Sequence, residues 1–259
     1  MRGKPLSYAV DMGKDIAADA LTYTARDWLQ YGSVSEPSTR EKMIMLAIED
    51  IIKIGPADFN AYRTCDRLDI KHPMVNYYFT NRDGLLAEAT WWAYREWTKN
   101  VRSSFHDASP DPEKRLRAFV SDETQWAERM GGMYLLLQYP LASAASHDIV
   151  RDEYGDRMQA IFDLHLAFLA TCIIDLRRGT VSSLDFDEQT VPTASLLLHP
   201  AEVIAAGHVA WMTHGLASWS TGHHTATRQI ASRGVKGLTA DIAKKTYIDL
   251  IIKVAAGLK

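Results

Sequence analysis

The chain has 259 residues, with 47% hydrophobic and 24% charged side chains, enough apolar sequence for one large core or two. Its net charge of −3 excludes a generally polyanion-binding surface, so any contact with nucleic acid must come from a local patch. The two cysteines, Cys65 and Cys172, lie far apart among helix-forming neighbours and read as buried thiols of a reducing cytoplasm, not as a disulfide.

The first 37 residues read as an extension with a helical middle, Asp15 to Trp28, and without the continuous apolar core of a signal peptide. Ser38-Thr39-Arg40-Glu41 has the form of a capping box. Ile44, Ala47, Ile48, Ile51 and Ile52 then form one helical stripe, which Gly55-Pro56 ends. Two short helices are predicted over about 60–68 and 72–79, separated by Asp69-Ile70-Lys71. A longer helix opens at Asn81 or Arg82 and carries Leu85, Leu86, Ala89, Trp92, Trp97 and Val101.

Asp111-Pro112 marks the next N-terminus, and helical spacing continues to Met130. Gly131-Gly132 breaks that helix, and Met133 to Tyr139 forms a short apolar one. The clearest long helix runs from about Asp148 to Arg178, followed by a loop over 180–199. Two helices, about 201–220 and 239–257, complete the chain. The expected class is all-α, with an N-terminal three-helix helix-turn-helix domain at 38–84 and a larger helical ligand-binding and dimerisation domain at 85–259. Residues 203–227 carry no Asp, Glu, Lys or Arg but are rich in His, Ser, Thr and Gly, which is too polar for a bilayer interior.

Two short helices three residues apart, between a capped helix and a long one, have the layout of a helix-turn-helix. In that unit the second helix presents base-reading groups to the major groove. Lys71, His72 and Asn76 supply donors, Pro73 sits at the first turn, and Tyr77 and Tyr78 bring flat faces tipped with hydroxyls. Arg63, Arg67 and Arg82 are candidate phosphate ligands, whereas Val75 and Phe79 belong to the core. The alternative for these polar groups is an ordinary amphipathic helix surface. Seven basic and seven acidic residues balance over 38–84, which weakens any non-specific attraction to DNA.

Residues 38–86 resemble the N-terminal DNA-binding domain of the TetR family of bacterial transcriptional regulators. The resemblance is carried by the first-helix pattern ending at Gly55, by Leu68-Asp69-Ile70, by Val75-Asn76-Tyr77-Tyr78-Phe79 and by Asn81-Arg82-Asp83-Gly84-Leu85-Leu86. Asn76 places the chain with a Val-Asn-Tyr subgroup, Asp69 replaces the usual turn glycine, and Thr64-Cys65 replaces an Ile-Ala pair. The resemblance implies a cytoplasmic, ligand-responsive repressor of double-stranded operator DNA, with Arg63, Lys71, His72, Pro73, Met74, Asn76, Tyr77, Tyr78 and Arg82 at the DNA. It also implies a homodimer formed through the helices near 201–220 and 239–257, a small-molecule effector and no membrane partner.

Independently, aromatic and methionine side chains on successive helices offer the lining of an apolar or aromatic ligand site: Trp92, Trp97, Trp126, Met130, Met133, Tyr134, Tyr139, Phe162, His165 and Phe168. Taken singly, such residues are more often core than ligand contacts, and His165 on its apolar stripe reads as a hydrogen-bonded core histidine rather than a ligand sensor. His199, His208, His214, His223 and His224 match no closed metal site, and Asp185 to Glu188 lacks the frame of a calcium loop. No cofactor is called for. An enzyme or a helical scaffold is the competing class, but no glycine-rich phosphate loop, Gly-x-Ser-x-Gly elbow or cysteine-nucleophile signature occurs.

Overall fold

A computed structural model describes residues 37–138, 144–221 and 240–257. The expected all-α class is the one observed: among the described residues there are ten helices and no strand. They are α1 (Thr39–Ile54), α2 (Ala61–Leu68), α3 (Met74–Phe79), α4 (Arg82–His106), α5 (Pro112–Met130), α6 (Gly132–Gln138), α7 (Ala144–Arg178), α8 (Thr193–Leu196), α9 (Pro200–Ser220) and α10 (Ala240–Ala256). The expected helix over Asp15–Trp28 lies outside the described residues. The chain divides into two compact units. The first takes in the described residues to Ala93 with Arg129–Val150, and the second takes in Tyr94–Glu128 with the residues from Arg151 onward.

In the first unit, α1 begins with the expected capping box. Ser38 Oγ accepts from the Glu41 N–H, and Glu41 Oε2 accepts from the Ser38 N–H at 2.8 Å. Donation from the Ser38 hydroxyl, then from the Ser38 N–H, holds the Glu41 carboxyl below its ordinary range. Met43, Ile44, Met45, Ala47, Ile48 and Ile51 are all buried. α1 stops at Gly55, whose φ of +82° suits glycine, and the Gly55 N–H still bonds the Ile51 carbonyl at 2.9 Å. α6 packs against α1. Their approach is close enough that a Cβ on Gly132 would lie 2.7 Å from the Ile51 carbonyl oxygen and 3.1 Å from Gly55 Cα.

In the second unit a chain of aromatic rings runs through the core, stacked between Phe105 and Phe119 and tilted at the other contacts. Phe105 lies 5.3 Å from both Phe119 and Phe168, and Phe168 lies 4.8 Å from Phe186. Arg177 ties the end of α7 to its neighbours, donating to the Ala255 carbonyl on α10 and pairing with Glu202 on α9 at 3.0 Å. α9 packs along α10, and Arg117 on α5 reaches Asp249 on α10 at 2.7 Å. The 180–199 segment is not wholly loop, since Thr193–Leu196 makes one helical turn. α7 starts a turn earlier than Asp148, because Ala144, Ala145 and Ser146 extend it.

By length and composition α7 alone of the described helices would suit a membrane span, yet more than half of that stretch is buried within the protein. Its Leu164, Phe168, Leu169 and Ile173 are core residues. Both cysteines are free and buried, as expected, and burial pushes the Cys172 thiol up to about 12 and raises that of Cys65.

Candidate nucleic-acid interface and effector residues

The expected reading helix is built by a tight sequence of caps. Asn60 Oδ1 accepts from the Tyr62 N–H at 3.0 Å and starts α2. Asp69 ends it in the left-handed region (φ 53°, ψ 44°), the conformation that usually calls for glycine and that aspartate tolerates better than most residues. The Ile70 N–H closes the turn on the Cys65 carbonyl at 3.0 Å. Pro73 is the residue before the first helical one and takes the α conformation. α3 then runs for six residues, with Val75 and Phe79 buried one turn apart.

The opposite face of α3 is open. Asn76 and Tyr77 are exposed, Tyr77 to 77%, and Lys71, His72 and Pro73 are exposed just before them. Met74 and Tyr78 are half-buried at the edges, and Tyr77 meets Tyr78 edge-on at 4.9 Å. The side-chain polar groups of Lys71, Asn76 and Tyr77 make no hydrogen bond among the described residues, so they remain available to an outside partner. His72 is more constrained: Nε2 lies 2.8 Å from Asp66 Oδ1, and its ring stacks on Tyr62 at 4.7 Å. Sequence reasoning missed Tyr62; its place in the first turn of a capped helix leading into the turn was the available signal.

The arginines are largely occupied. Arg63 is exposed but lies 3.9 Å from Asp50, and Arg67 pairs with Glu49 at 2.6 Å and Asp50 at 3.1 Å. Arg40 pairs with Glu88 and lies over the Phe79 ring. Arg82 donates from Nε to the Phe59 carbonyl and from Nη2 to the Pro56 carbonyl, both at 3.1 Å. It therefore fastens the α1–α2 loop to the start of α4, with 35% of its side chain still exposed. Asn81 caps α4 by accepting from the Gly84 N–H at 2.9 Å.

The candidate effector residues fall into both units. Trp92, Met130, Met133 and Tyr134 belong to the first, and Trp97, Trp126, Phe162, His165 and Phe168 to the second. Tyr139 lies outside the described residues. Most are core, but Phe162 is 37% exposed. Trp97 of the second-unit set joins a polar knot that the sequence did not reveal. Glu123 on α5 is fully buried, accepts from Trp97 Nε1, and lies 3.1 Å from His214 Nδ1 on α9.

His165 stands edge-on to Trp97 with ring centroids 4.7 Å apart, and neither of its nitrogens has a hydrogen-bond partner among the described residues. That corrects the expectation of a hydrogen-bonded core histidine. Burial, then repulsion from Arg102 and from the His214 ring, lower its pKa to about 3, so the imidazole is neutral near pH 7. The signal for Glu123 was a carboxylate among Leu116, Phe119, Val120 and Ala127 on the apolar face of α5. Among the described residues no three His, Cys, Asp or Glu side chains gather to hold a metal ion.

No protein-family model matches the chain. Over 85 residues, 33% of the chain, it is 34% identical to the HTH-type transcriptional regulator BetI of Stenotrophomonas maltophilia (strain R551-3). The match spans 43% of that regulator, less than half its length. This similarity supports the TetR resemblance for the matched third.

Proposed function

We propose that the protein is a non-enzymatic, cytoplasmic DNA-binding transcriptional regulator of the TetR kind. It represses from a palindromic operator and is released when a small apolar or aromatic molecule binds it. The observation that carries the reading is α3: Asn76 and Tyr77 stand open on a short helix whose Val75 and Phe79 are buried, next to exposed Lys71. Similarity to a transcriptional regulator over a third of the chain supports it. Lys71, Asn76, Tyr77 and Tyr78 form the reading group in this proposal, with Met74 and Pro73 setting its start. Arg63, His72 and Arg82 contribute to DNA contact and to holding the helix in place. Release follows if the effector binds more tightly to the conformation that does not fit the operator.

The test is titration of the chain against its own upstream DNA at several salt concentrations. Most head arginines already have protein partners, so few phosphates are neutralised. The slope of log K against log salt should be shallow, roughly −2 to −4 for a dimer. Asn76→Ala and Tyr78→Phe should each weaken operator binding, by about 5- to 100-fold for a lost base contact, with helical content unchanged. Equal affinity for every duplex, or unchanged binding by both variants, rejects the reading.

The homodimer is part of the proposal, and α9 and α10 support it. Ile204, His208, Trp211 and Gly215 lie at helical spacing on an exposed face of α9, with Trp211 78% exposed, while Ala205, Ala206, Val209 and Leu216 are buried. α10 leaves Ile242, Tyr247 and Leu250 exposed as well. An apolar face with a central tryptophan suits burial against a second copy. Native mass spectrometry should show about twice the 29.1 kDa chain mass, falling to the monomer mass in Trp211→Glu. A wild-type monomer would refute the dimer.

A further inference from the structure

We propose that His165 anchors a small-molecule site in the second unit, and that its ligand is a neutral, planar aromatic molecule carrying a hydroxyl or amide group. The inference rests on the effector-regulated reading above and names the chemistry of the effector. His165 is only 4% exposed on α7, and among the described residues both of its ring nitrogens lack a hydrogen-bond partner. A neutral imidazole has one N–H donor and one nitrogen acceptor, and leaving both unmade in a protein interior is costly. A hydroxyl or a primary amide has a donor and an acceptor of its own, so it can meet either nitrogen whichever tautomer is present.

The surroundings fix the rest of the ligand. Trp97 presents its ring to His165 at an interplanar angle of 81°, which provides an aromatic wall beside the polar group. Phe162 lies about one turn earlier on α7 and is 37% exposed, so the buried histidine is close to a solvent-reaching aromatic side chain on the same helix. Of the groups nearby, Glu123 Oε1 lies 3.1 Å from His214 Nδ1, and Arg102 pairs with Glu188. Arg102 and His214 both act against additional positive charge at His165. A neutral ligand fits these conditions.

The experiment uses the full chain titrated with phenol and with toluene, similar in size but exchanging hydroxyl for methyl, read by tryptophan emission. The wild type should prefer phenol by about tenfold, the preference of one well-made hydrogen bond. His165→Leu should bind the two probes alike, and His165→Gln, which keeps a donor and an acceptor, should retain part of the preference. Equal affinity of the wild type for both probes, binding of neither, or a preference undiminished in His165→Leu overturns the proposal. If a variant does not fold, the wild-type comparison still decides. Operator binding is measured in parallel without probe. Sequence-specific DNA binding without phenol preference refutes the site alone, whereas phenol preference without DNA binding refutes the regulator reading.

Discussion

Gly84→Ala will destabilise the first unit by about 3 kcal/mol or more, a large fraction of the stability of an ordinary domain. A Cβ at this position would stand 2.0 Å from the Phe79 carbonyl oxygen and 3.1 Å from its carbonyl carbon. Both obstacles are backbone, so no side-chain rotation relieves the overlap. The link cannot easily lengthen either. Only Thr80 and Asn81 separate α3 from α4, Thr80 already has a φ of 69°, and the Asn81 N–H bonds the same Phe79 oxygen at 2.7 Å. Opening the junction would pull the Gly84 N–H from its Asn81 cap, a loss of about 1 kcal/mol. It would also disturb Phe79, which is 6% exposed. Urea unfolding followed by circular dichroism measures the loss, and operator titration should show weaker binding while the fold persists. A change below about 1 kcal/mol would mean that the close approach does not exist in solution.

Glu123→Ala will cost the second unit about 3–5 kcal/mol, and Glu123→Gln much less. The alanine variant removes the acceptor of the buried Trp97 N–H and the partner of His214, and it leaves a void where the carboxyl and two methylenes were. Glutamine keeps the side-chain volume and one oxygen acceptor, so it retains the Trp97 bond and loses mainly the charge opposite His214. Denaturant unfolding read by tryptophan emission separates the two. If alanine is no more destabilising than glutamine, the Trp97–Glu123–His214 connection does not contribute as described. His214→Leu should then be read with Glu123→Ala in a double-mutant cycle, because groups in one hydrogen-bonded network do not add.

Local patterns carried most of the architecture. The capping box at Ser38, the Gly55 stop and the Asp111-Pro112 start depend on side chains within a few residues of the backbone groups they serve, and they were legible for that reason. So was the division of α3 into buried Val75 and Phe79 and exposed Asn76 and Tyr77, which follows from helical spacing. What escaped depends on partners far away in the chain. Arg82 has the composition of a phosphate ligand, but the carbonyls of Pro56 and Phe59 that occupy it become visible only in three dimensions. The pairing of Glu123 with His214 and the absence of a partner for His165 among the described residues are likewise long-range facts. The one-turn α8 was missed because four residues between Pro192 and Leu197 are too few to display a period.

The glycine contact between α6 and the end of α1 has a mechanical consequence. With Gly132 lying where a single methyl group would press on the Ile51 carbonyl and on Gly55, two backbones touch without a side-chain cushion between them. Cushioned joints absorb small displacements by rotamer changes; this one has no such compliance. Any push of α6 toward α1 is therefore passed directly to the last turn of α1, as in a coupling machined without backlash.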